Sequence, residues 1–494
     1  MKTIMTAAQT RDADRYTIEH LPIASVDLME NASTAFVTAF IQRHPNRHTR
    51  ILVCCGTGNN GGDGLAIARL LQAGGYDDIA VWVARFADRE SDDFAANIAR
   101  LHHTPIPVTE FFPADEFPEI QQHVVIDALL GSGLNRPLEG DWLRLVQHLN
   151  QAHRSTVSVD IPSGLRADGI VSEQEEAIHA DDVITFQRPK LSFFFPESAK
   201  AMADFHVVDI GLDEGFIERL PSNYRVVETA DIQDMYRHRE RFSHKGTYGH
   251  ALIVAGSVNT MGAAILASGA SVYVGAGLTS ACIPPEGLVA LNARHPEVMY
   301  CSRERLPEAW NRFDAVAIGP GLGSASIHLP AMLTYPSKPL VVDADALSFL
   351  SENPKLLRKL PKLSILTPHM KEFDRLFGPS SSWWDRVQRA RKQASALQLI
   401  IVLKNRYTFI VLPDGNVLIN PTGNPAMASG GMGDVLTGVV VSLLAQGYTP
   451  QEAAILGCYL HGLAGDRLFA AGMAVVPATR AITELPHAIA SLRG

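Results

Sequence analysis

From residue 50 onward, short β-branched and apolar runs alternate with longer stretches of helical periodicity. Ile51–Cys55, Ile79–Ala84, Val124–Ala128, Val157–Ile161, Asp182–Phe186 and Phe205–Asp209 predict buried strands. Between the first two lies a helical pattern from Leu65 to Ala73, closed by Gly74-Gly75. This strand–helix–strand rhythm implies a parallel sheet with helices on both faces. It stops near Gly211: Leu212 to Arg241 is mixed and charged, and Tyr236 to Arg241 predicts a solvated connector. A second series opens at Ala251–Ala255 and continues through Ala315–Ile318, Leu340–Val342, Ile365–Thr367 and Leu399–Leu403. Tyr407–Leu412 and Asn416–Ile419 flank Pro413-Asp-Gly and predict a hairpin. The expected fold class is α/β, with two doubly wound domains divided at about 212–225.

Length and composition agree with two domains. The chain has 494 residues, too many for one ordinary core, and its 46% hydrophobic and 19% charged content is that of a globular protein. A formal net charge of −9 argues against a nucleic-acid surface. Phosphate groups would then be held by helix ends and single Lys or Arg residues. The five cysteines are scattered, without a CxxC pair or a His cluster, which predicts a reducing, cytoplasmic setting and no structural zinc. Met1 to Gln9 has no apolar core of a signal peptide. The stretch from His250 to Glu286 lacks charge until its last residue, but its Gly, Ala, Ser and Asn content predicts a buried strand–loop–helix and no membrane span.

The richest local signal is Asn424-Pro-Ala-Met-Ala-Ser-Gly-Gly-Met-Gly-Asp-Val-Leu-Thr-Gly438, which runs into an apolar helix. Glycines there let successive backbone N–H groups point to one spot at a helix N-terminus, where a phosphate is favoured. A carboxylate at the same spot, Asp434, suits a base that takes a proton from an attacking hydroxyl. A glycine-rich cap on a buried helix is the plainer alternative. Other clusters follow apolar strands in the same half: Gly319-Pro-Gly-Leu-Gly323, Val342-Asp-Ala-Asp, Thr367-Pro-His369 with Glu372, and Lys404 with Arg406 at a strand end, fit for a nucleotide phosphate.

In the first half, the strand Ile51–Cys55 runs into Gly56-Thr-Gly-Asn-Asn-Gly-Gly-Asp-Gly64, a loop expected to precede a helix where such sheets bind phosphates. Asp127 ends the next strand and leads to Gly131-Ser-Gly-Leu-Asn-Arg-Pro137, a second anion-holding loop; Asp160-Ile-Pro-Ser-Gly164 ends a third. Topology puts these strand ends on one rim, so Asn60, Asp127 and Ser163 can share an oxygen-only site for a hard cation.

These motifs carry two family resemblances. GNNGGDG, the segment Asp127 to Pro137 and Asp160-Ile-Pro-Ser-Gly resemble the YjeF N-terminal domain of NAD(P)H-hydrate epimerases, which implies a Rossmann-like domain over 1–215. The resemblance implies potassium on Asn60, Asp127 and Ser163. It implies substrate contacts at Asn59, Asn60, Gly61, Gly62, Asp63, Gly131, Ser132, Gly133, Leu134, Asn135, Arg136, Pro137 and Asp160, with Asp160 as acid/base. His244-Lys-Gly, Gly319 to Gly323, Thr367-Pro-His, Leu403-Lys404 and Asn424 to Gly438 resemble the ribokinase-like ADP-dependent NAD(P)H-hydrate dehydratases over 225–494. That implies hydrate contacts at Ala263, Gly321 and His369, and a nucleotide held by Lys404, Asn405, Arg406, Tyr407, Thr408 and Gly433. It also implies Mg²⁺, ADP as phosphoryl donor and Asp434 as catalytic carboxylate. The family usually has Gly where Asn405 stands and a smaller residue at Met432; a left-handed backbone at Asn405 would keep the loop.

Together the halves imply a repair enzyme for hydrated NADH and NADPH, with no nucleic-acid or membrane partner and, by analogy, a homo-oligomer. Two rivals remain at the level of sequence. A ribokinase-like kinase for a vitamin precursor would keep the fold, and a nucleotide-binding scaffold would keep the first half. A dehydrogenase is disfavoured, since no GxGxxG with a downstream ribose-binding acid appears.

Overall fold

The computed structural model describes all residues except 170, 173, 324–328, 335–337 and 494. The chain forms two compact units, one built mainly from Lys2–Ser222 and the other mainly from residues 223–494.

The N-terminal unit is a parallel sheet of β1 (Ile51–Cys55), β2 (Ile79–Ala84), β3 (Val108–Phe111), β4 (Val124–Ala128), β5 (Ser155–Val159), β6 (Asp182–Phe186) and β7 (Phe205–Val208), in the order β3-β2-β1-β4-β5-β6-β7. Every residue of β1 and β4 is buried, as expected for central strands covered on both faces. One core on one face includes Val53, Leu65 and Phe36, and another includes Leu52, Leu145 and Phe193. The order reverses between β1 and β4, the crevice where doubly wound sheets bind ligands.

The glycine segment after β1 is not a loop ahead of a helix. The helix Asn59–Ala73 begins at once, capped by Gly58, so Asn59 to Gly64 are its first turns. Glycine permits this because the helix lies against backbone. A Cβ at Gly61 would run into the carbonyl oxygen of Gly56, and one at Gly62 would lie 2.8 Å from Met29 Sδ.

The C-terminal sheet runs β8 (Tyr224–Val226), β9 (His250–Val254), β10 (Leu278–Cys282), β11 (Met299–Cys301), β12 (Ala315–Ile318), β13 (Leu340–Val342), β14 (Ile365–Leu366), β15 (Ile400–Leu403), β16 (Thr408–Val411) and β17 (Val417–Asn420). Its order is β8-β17-β16-β15-β14-β13-β12-β9-β10-β11. The strands are parallel except for the expected hairpin β16–β17 and the β15–β16 pair. Here the order reverses between β9 and β12. The uncharged stretch near 250–286 is β9, the helix Met261–Val274 and β10, and no helix among the described residues is long and apolar enough to cross a membrane.

Tyr236 to Arg241 is irregular and mostly exposed, as a connector should be, but the stretch 212–235 before it is ordered. It holds helices Glu214–Arg219 and Thr229–Met235, with β8 between them pairing with β17. Its charge pattern hid a short strand whose residues are all only half-buried.

Candidate active sites

Strand ends β1, β4 and β5 deliver their polar residues to one rim, over a cavity of about 550 Å³. Asn59, Asn60, Asp63, Gly131, Ser132, Gly133, Leu134 and Asp160 line it. Gly61 and Gly62 instead provide the close packing just described, and Asn135, Arg136 and Pro137 stand exposed beyond the wall.

Asp127 is fully buried. Its carboxylate accepts hydrogen bonds from Ser158 Oγ at 2.8 Å, from the Ser163 N–H at 2.8 Å and from Ser163 Oγ at 2.6 Å. Burial outweighs these bonds and raises its pKa. Asn60 packs against Gly131, where an added Cβ would lie 3.2 Å from its own, and its amide nitrogen is buried without a partner among the described residues. Asp127 and Ser163 are thus in direct contact, with Asn60 held at the neighbouring loop.

Asp160 follows β5 with φ of 64°, an uncommon conformation for a residue with a side chain. That turn aims its carboxylate at the end of β6. There it accepts from the Phe186 N–H at 3.0 Å and Thr185 Oγ1 at 3.2 Å, and pairs with Lys190 Nζ at 2.6 Å. Lys190 is itself 4% exposed, so the pair is desolvated and neither charge stands alone. The sequence reading passed over Lys190, although it lies just past a strand end on the same rim. Asp14, on the helix Ala7–His20, also lines the cavity and was passed over.

In the C-terminal unit the reversal between β9 and β12 brings two segments together. The Thr260 hydroxyl donates to the Gly321 carbonyl at 2.7 Å, and a Cβ at Gly321 would lie 2.9 Å from that of Ala263. Two of the three expected hydrate contacts, Ala263 and Gly321, are therefore neighbours. Asp345 Oδ2 accepts from the Gly323 N–H at 2.9 Å, tying the same loop to the end of β13.

Asp434 sits in the first turn of the helix Met432–Ala445, whose cap Gly431 has φ of 91°. Burial raises its pKa to about 6; Asp343 adds to the rise and Lys404 opposes it. Lys404 pairs with the buried Asp343 at 2.9 Å, and Thr437 Oγ1 donates to the other Asp343 oxygen at 2.8 Å. Burial disfavours the charge on Lys404, but Asp343, Glu372 and Asp434 outweigh it and its pKa is raised. Gly433 lets the lysine approach the helix start, since its Cβ would stand 3.3 Å from Lys404 Nζ.

A second cavity, of about 640 Å³, is lined by His369, Lys404, Asn405, Arg406, Thr408, Asn424 and Gly433, with Asn420, Met427, Cys458 and His461 behind them. His369 caps the helix Met370–Phe377, its Nδ1 accepting from the Lys371 N–H at 3.1 Å, and bridges in parallel to Lys404. Arg406 covers the Tyr407 ring at 4.5 Å. Asn405 is not among the residues with positive φ, so the left-handed backbone expected there is not adopted. Met432 is buried in the core and also lines this cavity beside Gly433. His461, unremarked in the sequence, has its pKa lowered by burial to about 4 and its Nε2 buried without a partner among the described residues.

Both halves match known families. The profile for NAD(P)H-hydrate dehydratase covers residues 251–487, and that for the YjeF-related protein N-terminus covers 25–192. The bifunctional NAD(P)H-hydrate repair enzyme of Moorella thermoacetica is 36% identical across 94% of this chain and 92% of its own length. Its counterpart in Escherichia coli is 32% identical across 95% and 90%. An ADP/ATP-dependent NAD(P)H-hydrate dehydratase from Bacillus subtilis, co-crystallised with ATP and Mg²⁺, superposes with a TM-score of 0.50 at 31% identity, covering 55% of this chain and 99% of its own. Matched over both halves and nearly end to end, the chain belongs to the family of bifunctional NAD(P)H-hydrate repair enzymes.

Proposed function

We propose that this protein restores hydrated NADH and NADPH. Its N-terminal unit interconverts the R and S epimers at C6 of the reduced ring, and its C-terminal unit dehydrates the S epimer at the expense of ADP. The observation that carries this reading is that each unit sets a carboxylate at a large cavity within reach of a lysine: Asp160, which lines the first and pairs with Lys190, and Asp434, which follows Gly433 at the second and feels the charge of Lys404.

In the C-terminal unit Asp434, half-buried and titrating near neutrality, takes the proton of the C6 hydroxyl. The hydroxyl oxygen attacks the terminal phosphorus of ADP, and the bond to AMP breaks. Phosphate then leaves C6, helped by the ring nitrogen, and C5 gives up a proton to restore the ring double bond. Lys404, Asn405, Arg406, Tyr407, Thr408 and the Gly433 N–H would hold the nucleotide, while Ala263, Gly321 and His369 would hold the hydrate. Asp345 and Glu372, whose charges both reach Asp434, would be the carboxylates nearest to offer oxygen to a hard cation that arrives with the nucleotide. When bound with the nucleotide, Mg²⁺ neutralises phosphate charge.

In the N-terminal unit the buried Asp127, bonded only to neutral donors, offers carboxylate oxygens whose charge no cation among the described residues balances, a setting that fits a monovalent cation. Asn60, Asp127 and Ser163 would hold potassium, which steadies the two loops and balances Asp127. Asp160 acts as acid/base at C6.

The test is recovery of reduced-nicotinamide absorbance from an epimeric mixture of NADH hydrate with ADP and Mg²⁺. Wild type should recover all of it, Asp434→Asn none, and Asp160→Ala should stop once the S epimer is consumed. A stable phosphorylated alcohol in place of free phosphate would support a vitamin-precursor kinase instead. Full recovery with Asp160→Ala would reduce the N-terminal unit to a scaffold.

A further inference from the structure

Epimerisation by loss and return of water makes a demand that one carboxylate does not meet. The C6 hydroxyl must receive a proton as it leaves one face of the ring. A water must lose a proton as it adds to the other face. A group fixed on one wall serves one face, so the opposite face needs a second acid–base group.

The N-terminal cavity contains such a candidate. Asp14 lies on the helix Ala7–His20, whereas Asp160 comes from the end of β5, and both line the same cavity. Asp160 is anchored by Lys190 and by the N–H of Phe186. Among the described residues Asp14 makes no ion pair or hydrogen bond, so its carboxyl is available to substrate. Burial and the nearby Asp160 push its pKa up to about 6, with Lys190 pulling the other way. It can therefore hold or release a proton near neutrality. The other charged groups facing the cavity are Arg11, Asp63, Arg89 and Asp93. Asp63 is the deeper carboxyl; burial, then Asp160, Asp14 and Asp93, raise its pKa well above the usual range.

We propose that Asp14 is the second catalytic acid–base of the epimerase site, serving the ring face opposite to Asp160, with Lys190 as the positioning residue that holds Asp160. The proposal rests on the epimerase assignment of this unit. In one direction the neutral Asp14 carboxyl protonates the C6 hydroxyl. The C6–O bond breaks, water departs, and the ring nitrogen's lone pair forms a C6=N bond. Water on the other face adds through its oxygen to C6 and gives its extra proton to Asp160. The reverse direction exchanges the roles. The proton gained by Asp160 returns to Asp14 through solvent, so the cycle consumes none.

The test follows a single purified epimer of NADH hydrate into the other by chromatography, without ADP, using the full-length chain. Asp14→Asn should lower kcat by about 10²–10⁴-fold with KM little changed. Asp14→Glu should keep measurable turnover and shift the limb of the pH–rate profile that wild type shows near 6. Asp14→Asn turning over like wild type would overturn the proposal. So would a wild-type profile without a limb in that range, which decides the matter even if the asparagine variant fails to fold. A rise in KM alone would also overturn it, leaving Asp14 a binding residue. No interconversion by wild type, with ADP-dependent dehydration intact, would remove the epimerase assignment itself, and this proposal with it.

Discussion

Asp434 carries its charge where the fold resists it, and two consequences follow from one cause. Its pKa in the folded chain, about 6, lies above the ordinary 3.8, chiefly through burial and next through Asp343. A base works when ionised, so dehydration should fall as pH drops through about 6 and level off above it, as measured on the pure S epimer with saturating ADP. For stability the sign is set by the raised value. The folded state binds the proton more tightly than the unfolded chain, so stability falls as pH rises from about 3.8 to 6 and then holds. Asp434→Asn should therefore abolish dehydration at every pH yet melt higher than wild type above pH 6, by about 1–2 kcal/mol, and show no such gain near pH 4. An unchanged melting point at both pH values would mean that the charge carries no penalty. Lys404 shows the opposite case. Replacing it by Met would leave Asp343 buried and unpaired, which should destabilise the C-terminal unit by about 3–5 kcal/mol. Asp434 and Lys404 were legible from the sequence because glycines and strand ends mark them. Lys190 was not legible as the partner of Asp160, since the two are joined only by the adjacency of β5 and β6.

The helices and strands that build the sites were legible to different degrees, for reasons of burial. Central strands such as β1 and β4 are apolar throughout and announce themselves. The edge strands β3 and β11 did not, because edges keep exposed or half-buried positions and lose the apolar run, and β8 did not because its three residues are all only half-buried. The first turns of the helix Asn59–Ala73 read as loop because glycine disfavours helices on its own; close packing overrides that preference here. Two glycine substitutions separate packing from ligand approach. Gly61→Ala puts a Cβ into the backbone of Gly56, which cannot yield, so it should cost more than about 3 kcal/mol and remove epimerisation. Gly433→Ala meets the flexible end of Lys404 at 3.3 Å, which can shift, and Asp343 Oδ2 at an ordinary contact distance of 3.6 Å. Its stability should stay near wild type while the KM for ADP rises about tenfold, or about 1.4 kcal/mol. Equal melting losses in the two variants would contradict this distinction.

At the scale of the whole chain, two units, each with its own core and cavity, share one polypeptide. Each half repeats the same logic, in which a reversal of strand order opens a crevice and polar residues at strand ends fill its rim. The alternation of strand and helix made both halves visible in the sequence, whereas chemistry could be assigned only where a motif marked it. On the proposed reading each unit has its own catalytic carboxylate, so the epimerised hydrate can leave one molecule and enter another. Two defective chains should then complement each other. Asp160→Ala alone should stall with the R epimer left over, and Asp434→Asn alone should recover no reduced nicotinamide. Mixed together they should restore complete recovery, at a rate that rises with the concentration of either chain. Recovery that still stopped partway in the mixture would show that the hydrate must pass between sites within a single chain, and the two units would then have to be treated as one catalytic body.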